Sequence, residues 1–351
     1  MRTQVFTVDA QRPDPAVMQA AGEIIHAGGL VAFPTETVYG LGADATSGQA
    51  VARIFAAKAR PATDPIIVHI AGIDALGRVA VAAPPLAEEL ARQFWPGPLT
   101  LVLRRADGIP ANVAAGGPTV AVRMPAHPVA LALIAAAGVP IAAPSANTFS
   151  RPSATTAAHV LEDLDGRIDA VIDAGPAPIG VESTIVDLTS EPPAVLRPGG
   201  VPVEALRVLI PKLVVRQRFG DIDTPAEAPG QLIRHYSPRA RMLLYRDADA
   251  LPVMLEQARA RLAHGERIGA ALPESELAAF AALGVVTASL GPTLETAAQR
   301  LFAALRELDR LGVQAIYTHG LKRSGLGAAL WDRMLRAAEG VVQGPAALPP
   351  G

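Results

Sequence analysis

Apolar residues come in short blocks along the first two hundred positions, and the blocks alternate with amphipathic stretches. The blocks predict strands at Val5–Val8, Leu30–Phe33, Ile66–Ile70, Leu99–Leu103, Val120–Val122, Ile141–Ala143, Ala170–Ile172, Ile185–Leu188 and Ala194–Leu196. The amphipathic stretches predict helices at Pro15–Ala27, Gln49–Lys58 behind a Ser47 N-cap, Pro128–Ala137, and Ala157–Leu164 behind Thr155 and Thr156. Many strands with fewer helices suit a twisted mixed sheet better than a regular βαβ array. The pattern breaks over residues 211–240, where Phe219 to Gly230 is polar and turn-rich. From Arg241 on, four β–α units follow. Their strands are expected at Met242–Tyr245, Ile268–Leu272, Val285–Ser289 and Ala315–Tyr317, and their helices at Leu251–Ala263, Ser275–Leu283, Leu294–Leu311 and Leu326–Ala338. The fold class is therefore α/β. A mixed-sheet domain spans 1–210, a linker 211–240, and a small parallel, Rossmann-like domain 241–351, with residues 342–351 expected to fray.

Composition narrows the chemistry. The chain has 351 residues, enough for two domains, and is 50% hydrophobic but 4% aromatic, so its core is aliphatic. It has no Cys, which excludes disulfides, thiolate metal sites and a Cys nucleophile and suits a reducing compartment. Neither a signal-peptide pattern nor an apolar run of membrane-spanning length is evident, so a cytoplasmic setting is expected. Fourteen Lys and Arg against nineteen Asp and Glu leave residues 1–208 at −5, and seventeen against fourteen leave 209–351 at +3. The motif-rich part is thus the acidic one, which argues against a broad basic RNA-binding face there. Of 31 basic residues only Lys58, Lys212 and Lys322 are lysines.

Candidate chemistry clusters where apolar runs end. Leu30–Phe33 breaks at Pro34 into Thr35, Thr37 and Tyr39, and Gly40 and Gly42 then suggest a tight loop or close approach to a ligand. Lys58-Ala-Arg60-Pro61 and Asp64 follow a predicted helix. A point charge beside a planar fork suits phosphate oxygens, although cations at a helix C-terminus are also common complements of the dipole. Arg123 ends an apolar strand, where it can hold a carboxylate bidentately. Ser145, Asn147, Ser150 and Ser153 make a hydroxyl-rich loop that could bind phosphate or simply form turns. Gly180–Thr184 and Arg197–Gly200 repeat the theme. The chain has no G-x-S-x-G, P-loop or H-E-x-x-H pattern, so no hydrolytic triad, Walker site or transition-metal site is expected. The combination suggests a crevice binding a polyphosphate together with a small hydroxylated or carboxylated molecule.

Seven segments in order, Phe33–Gly42, Lys58–Pro61, Trp95–Thr100, Val122–Pro125, Ala143–Asn147, Gly180–Asp187 and Leu196–Gly199, resemble the YrdC-type threonylcarbamoyl-AMP synthases. Pro229–Pro238 and Gly325–Arg333 resemble the linker and C-terminal domain of that family's long form. Two departures are Gln231 for a usual Met and Asp64 for a common Asn. The resemblance implies synthesis of threonylcarbamoyl-AMP and pyrophosphate from L-threonine, bicarbonate and ATP with Mg²⁺. The product would supply downstream proteins that modify adenosine in tRNA. It assigns Thr37, His69, Arg123, Ala143 and Ser183 to L-threonine. It assigns Lys58, Arg60, Asp64, Thr119, Ser145, Asn147, Ser153, Arg197 and Tyr236 to ATP, with Lys58 and Arg60 also catalytic and Tyr236 on a closing linker. No protein metal site or membrane contact is expected, and the resemblance assigns no general base. Tunable alternatives are an RNA-binding module, disfavoured by charge and scarce aromatics, and a hydrogenase-maturation carbamoyl transferase, disfavoured by the absence of Cys.

Overall fold

The computed structural model describes residues 2–216, 228 and 235–344. Most of the predicted linker, including Gln231, lies outside the described residues. The chain divides into two compact units, one of Met1–Phe149 and Ser153–Leu232, the other of Ser150–Pro152 and Ile233–Gly351.

The first unit is built on strands β1 (Gln4–Thr7), β2 (Val31–Pro34), β3 (Tyr39–Asp44), β4 (Ile67–His69), β5 (Ala80–Val81), β6 (Leu99–Arg105), β7 (Thr119–Arg123), β8 (Ile141–Ala142), β9 (Ala170–Asp173), β10 (Thr184–Asp187), β11 (Ala194–Arg197) and β12 (Val214–Val215). Among the described residues they join into one sheet in the order β1-β9-β2-β3-β8-β4-β7-β6-β10-β11-β12, with β5 beside β6. Pairing is mixed, with β4 parallel to β7 and β7 antiparallel to β6, as the strand-rich pattern predicts. One face packs Tyr39, Leu41, Val68, Leu101 and Val122 against Val51, Ile54 and Leu90 of the helices Gly48–Lys58 and Pro85–Phe94. Part of the other face is covered by Met18, Ile25 and Leu133 of the helices Pro15–His26 and Pro128–Ala137. The remainder carries a small apolar cluster of Ile67, Val102, Ala121, Ile185, Ala194 and Leu196, joined by Ala228.

Strand β3 corrects the loop expected around Gly40 and Gly42. Neither glycine has a positive φ. A Cβ on Gly42 would lie 2.8 Å from both the Phe33 ring and Ile141, and one on Gly40 would lie 3.3 Å from the Ala143 Cβ. The glycines make room for neighbouring side chains, and the alternate residues Tyr39, Leu41 and Ala43 fill the core. The sequence pattern does not predict the helix Pro85–Phe94.

The second unit is a parallel sheet of β13 (Arg241–Tyr245), β14 (Ile268–Leu272), β15 (Val286–Ser289), β16 (Ala315–His319) and β17 (Val342–Gln343), in the order β15-β14-β16-β13-β17. Strand β17 pairs with β13, so the tail is ordered at least to Gln343 where fraying was expected. Helices Leu251–Ala263 and Leu277–Ala281 supply Met254, Ala258 and Phe280 to a core with Leu243, Tyr245 and Tyr317. Ser150–Pro152 belongs here as well. Ser150 O accepts from Ser237 N at 2.7 Å, Pro152 O accepts from Arg306 at 2.6 Å, and Arg151 pairs with Asp309 at 3.0 Å.

Candidate active site

His69 and Arg123 end the parallel neighbours β4 and β7 and sit side by side in register. Side chains alternate along a strand, so both share the face of Ile67 and Ala121, where among the described residues no helix residue joins the buried apolar cluster. Arg123 is 3% exposed. Its guanidinium donates to Gly97 O at 3.1 Å and Thr37 Oγ1 at 2.9 Å, and pairs with Glu36 Oε1 at 2.5 Å. Thr37 is held in turn by Thr35, whose Oγ1 lies 2.8 Å from Thr37 Oγ1 and accepts from the Thr37 and Val38 N–H groups. This is the local hydroxyl turn that the Pro34-Thr-Glu-Thr sequence favours. The Gly97 contact explains the Trp-Pro-Gly-Pro segment, which brings a carbonyl to Arg123.

His69 is buried edge-on to Phe33, at 6.3 Å between ring centroids, and its Nδ1 has no hydrogen-bond partner. Burial, and then the positive charge of Arg123, hold its pKa down to about 3. The ring is therefore neutral at neutral pH. His127 is also pulled down by burial, opposed by Glu36, and its Nδ1 accepts from Val129 N, capping the helix Pro128–Ala137.

Lys58 ends the helix Gly48–Lys58, whose cap Ala59 turns into the left-handed region at φ 53°. The Lys58 Nζ donates to Ser145 O at 2.5 Å and to Asn147 O. That turn separates Lys58 from Arg60, which donates to Asp64 O at 3.1 Å and Pro65 O at 2.7 Å and pairs with the Asp64 carboxylate at 3.0 Å. The charged residue at position 64 thus has Arg60 as its counter-ion. Arg197 bonds Ser183 through Nε to O at 3.1 Å and Nη2 to Oγ at 3.2 Å, while Ser183 Oγ lies 2.8 Å from Thr100 Oγ1. Ser153 donates to Glu182 Oε1 at 2.5 Å. Thr119 lines a cavity of about 410 Å³ with Asp187, Thr189, Ser190, Leu196 and Arg216. Ala143 is buried beside β4, its N–H on Ile67 O.

The structure thus links Arg123 directly to Thr37, Lys58 to Ser145 and Asn147, Arg60 to Asp64, and Arg197 to Ser183. Tyr236 is placed in the second unit, 1% exposed, with its ring 5.3 Å from Phe302 and the Arg333 guanidinium 5.3 Å from its centroid. Two buried acids, Glu36 and Glu182, are not marked by the sequence pattern, which points to the hydroxyls around them. The available signal is a lone acid among small and hydroxyl residues beside a strand, Thr35-Glu36-Thr37 after β2 and Val181-Glu182-Ser183 before β10. Among the described residues no group of three or more His, Asp or Glu could hold a metal ion, and no helix is long and apolar enough to cross a membrane.

The chain is thus a two-unit α/β protein, a mixed-sheet unit with buried cations and hydroxyls beside its strand ends followed by a separate parallel α/β unit. A family model described as "Telomere recombination" (Sua5_yciO_yrdC) matches residues 23–199, and one described as "Threonylcarbamoyl-AMP synthase, C-terminal domain" matches 201–339. The chain is 45% identical to the threonylcarbamoyl-AMP synthase of Pyrococcus abyssi over 92% of its own length and 94% of the relative's. It is 40% identical to the one from Bacillus subtilis over 97% and 99%. The crystal structure of P. abyssi Sua5 complexed with L-threonine is similar at a TM-score of 0.90 and 43% identity, over 96% of this chain and 98% of that one. The chain belongs to the threonylcarbamoyl-AMP synthase family.

Proposed function

We propose that the chain converts L-threonine, bicarbonate and ATP into threonylcarbamoyl-AMP, pyrophosphate and water. The observation that carries this reading is the buried Arg123, already engaged with Thr37 and beside a neutral His69, in the same unit as the buried cations Lys58, Arg60 and Arg197. One group suits an amino-acid carboxylate and the other suits phosphates.

The threonine carboxylate takes the Glu36 place on Arg123. Thr37, His69 and Ser183 surround its side chain, and the Ala143 carbonyl accepts from its amine. A neutral His69 adds no positive charge against that amine. The amine takes up bicarbonate as a carbamate with loss of water, and a carbamate oxygen attacks the α-phosphorus as pyrophosphate leaves. Negative charge develops on both sides of the bond being broken, and Lys58, Arg60 and Arg197 stabilise it. Asp64, Thr119, Ser145, Asn147 and Ser153 line the nucleotide side. Magnesium, where bound with ATP, would offset part of the phosphate charge beside Lys58, Arg60 and Arg197. Tyr236 acts as a lid only if it leaves Phe302, and its φ of 63° is a strained backbone conformation for a tyrosine. The protein works in the cytoplasm, and its product passes to proteins that transfer the threonylcarbamoyl group to tRNA.

The test is pyrophosphate release with each substrate omitted in turn. Release should require threonine, bicarbonate and ATP together, and equal release from ATP alone would overturn the reading.

A further inference from the structure

The second unit has its own crevice, which the reaction above does not use. In its sheet, β14 connects outward to β15, whereas β16, its neighbour, connects past β13 to β17. Right-handed crossovers place the helices Leu251–Ala263 and Leu277–Ala281 on one face and Leu294–Arg310 and Leu326–Ala337 on the other. The connections therefore diverge after β14 and β16. In open α/β sheets such a switch point at the carboxyl ends of the strands is where ligands bind.

A cavity of about 550 Å³ lies at that point. It is lined by Arg246, Asp247 and Ala248 after β13, Glu276 after β14, His319 at the end of β16, and Gly320 to Arg323 after it. Two acids share the lining: Glu276 Oε2 lies 2.5 Å from His319 Nε2, and Asp247 Oδ1 accepts from Asp249 N at 3.2 Å, so the three cations outnumber the carboxylates by one. Arg246, Lys322 and Arg323 are exposed around the cavity. Arg323 is held over the Trp331 ring at 3.7 Å. The loop is shaped by close packing. A Cβ on Gly320 would meet Arg246 O at 2.5 Å and the Trp331 ring at 2.6 Å, and one on Gly327 would fall 1.6 Å from Lys322 O. These glycines press the loop against the start of the helix Leu326–Ala337, where no side chain caps the helix. Three cations from two loops thus line one cavity, an arrangement suited to phosphate oxygens.

We propose that this crevice is a second ligand site and binds a phosphate-bearing anion. The chain contains only two tryptophans, Trp95 in the first unit and Trp331 under Arg323. Their indole N–H signals in the ¹⁵N-labelled full chain therefore report the two units separately. Titration with inorganic pyrophosphate should shift the Trp331 signal saturably. In Arg246→Ala/Lys322→Ala the midpoint should rise by roughly tenfold or more, because charge-assisted contacts are lost. Lys322→Glu should abolish the shift while the Trp331 signal stays as dispersed as in the parent. Inorganic phosphate and AMP, titrated in parallel, each support the site by moving the same signal, and the tighter of the two identifies the source of the phosphate. A Trp331 signal that stays still at millimolar pyrophosphate overturns the proposal, whatever Trp95 does. So does an equal shift in the double variant.

Discussion

Both units place cations at the ends of strands or helices, but they hold them differently. In the first, Lys58, Arg60, Arg123 and Arg197 are each at most 7% exposed and fixed by carbonyls, hydroxyls and the acids Glu36 and Asp64. In the second, the cations around the switch-point cavity are exposed, and only Arg323 rests on an aromatic ring. Buried arginines also occur there, but Arg333 and Arg336 pair with Asp332 within one helix. Burial alone therefore does not mark a functional charge. Whereas Arg60 pairs with Asp64 four residues on, Arg123 stands apart in that its partners, Glu36, Thr37 and Gly97, come from two separate loops. Such a cation is preorganised, so reaction or binding need not freeze it, and removing it should cost far more than removing an exposed one.

The sharpest break of this contrast is Lys58→Ala, which should lower the rate of pyrophosphate release by roughly 10²–10³-fold, the scale of losing one preorganised donor. Steady-state assay checks it, and a change under threefold would remove Lys58 from the chemistry. Next comes Tyr236→Ala. Its ring is buried against Phe302, so the second unit should lose about 2–4 kcal/mol in denaturant unfolding. An unchanged midpoint would mean that the ring is free to serve elsewhere.

Arg123→Ala should weaken threonine binding by about one to two decades, roughly 1.5–3 kcal/mol, with a smaller effect on ATP. Calorimetric titration measures both ligands. The variant also leaves the Glu36 carboxylate buried without its arginine, which is destabilising. Arg123→Ala/Glu36→Gln should recover stability but not threonine affinity, separating the two roles.

A smaller effect concerns pH. Folding lowers the His69 pKa from 6.5 to about 3, so between those values the unfolded chain binds the proton more readily. The contribution of His69 to stability is complete above about pH 6.5 and is lost progressively toward pH 3. His69→Gln should flatten the dependence of unfolding free energy on pH in that window, and an unchanged slope would show that other groups set it. The smallest effect is expected for Arg246→Ala, which should shift stability by no more than about 0.5 kcal/mol, because the side chain is exposed. A larger loss would make its cavity structural.

Much of the architecture is legible along the chain because local patterns encode it. The helices Pro128–Ala137, Ala157–Leu164 and Leu251–Ala263 lie where periodicity and caps predict them. The parallel character of the second unit follows from its regular β–α alternation. The failures are also physical. Gly40 and Gly42 signal a turn locally, but the Phe33 ring and Ile141 from neighbouring strands make them strand residues. Pro85–Phe94 sits behind paired prolines that read as a break, although proline is well tolerated in a first helical turn.

The candidate residues were themselves readable, since Lys58, Arg60, Arg123, Ser145, Asn147 and Arg197 stand at the ends of apolar runs or predicted helices. Their partners were not. The order of strands decides that Arg123 meets Glu36, Thr37 and Gly97, that Lys58 meets the carbonyls of Ser145 and Asn147, and that burial with Arg123 keeps His69 neutral. By itself the sequence determined which side chains stand at strand ends, because strand and helix periods act over a few residues. Only the tertiary structure decided which of them touch and in what charge state. Those outcomes depend on contacts across dozens of residues and on exclusion of water, and no local pattern contains either.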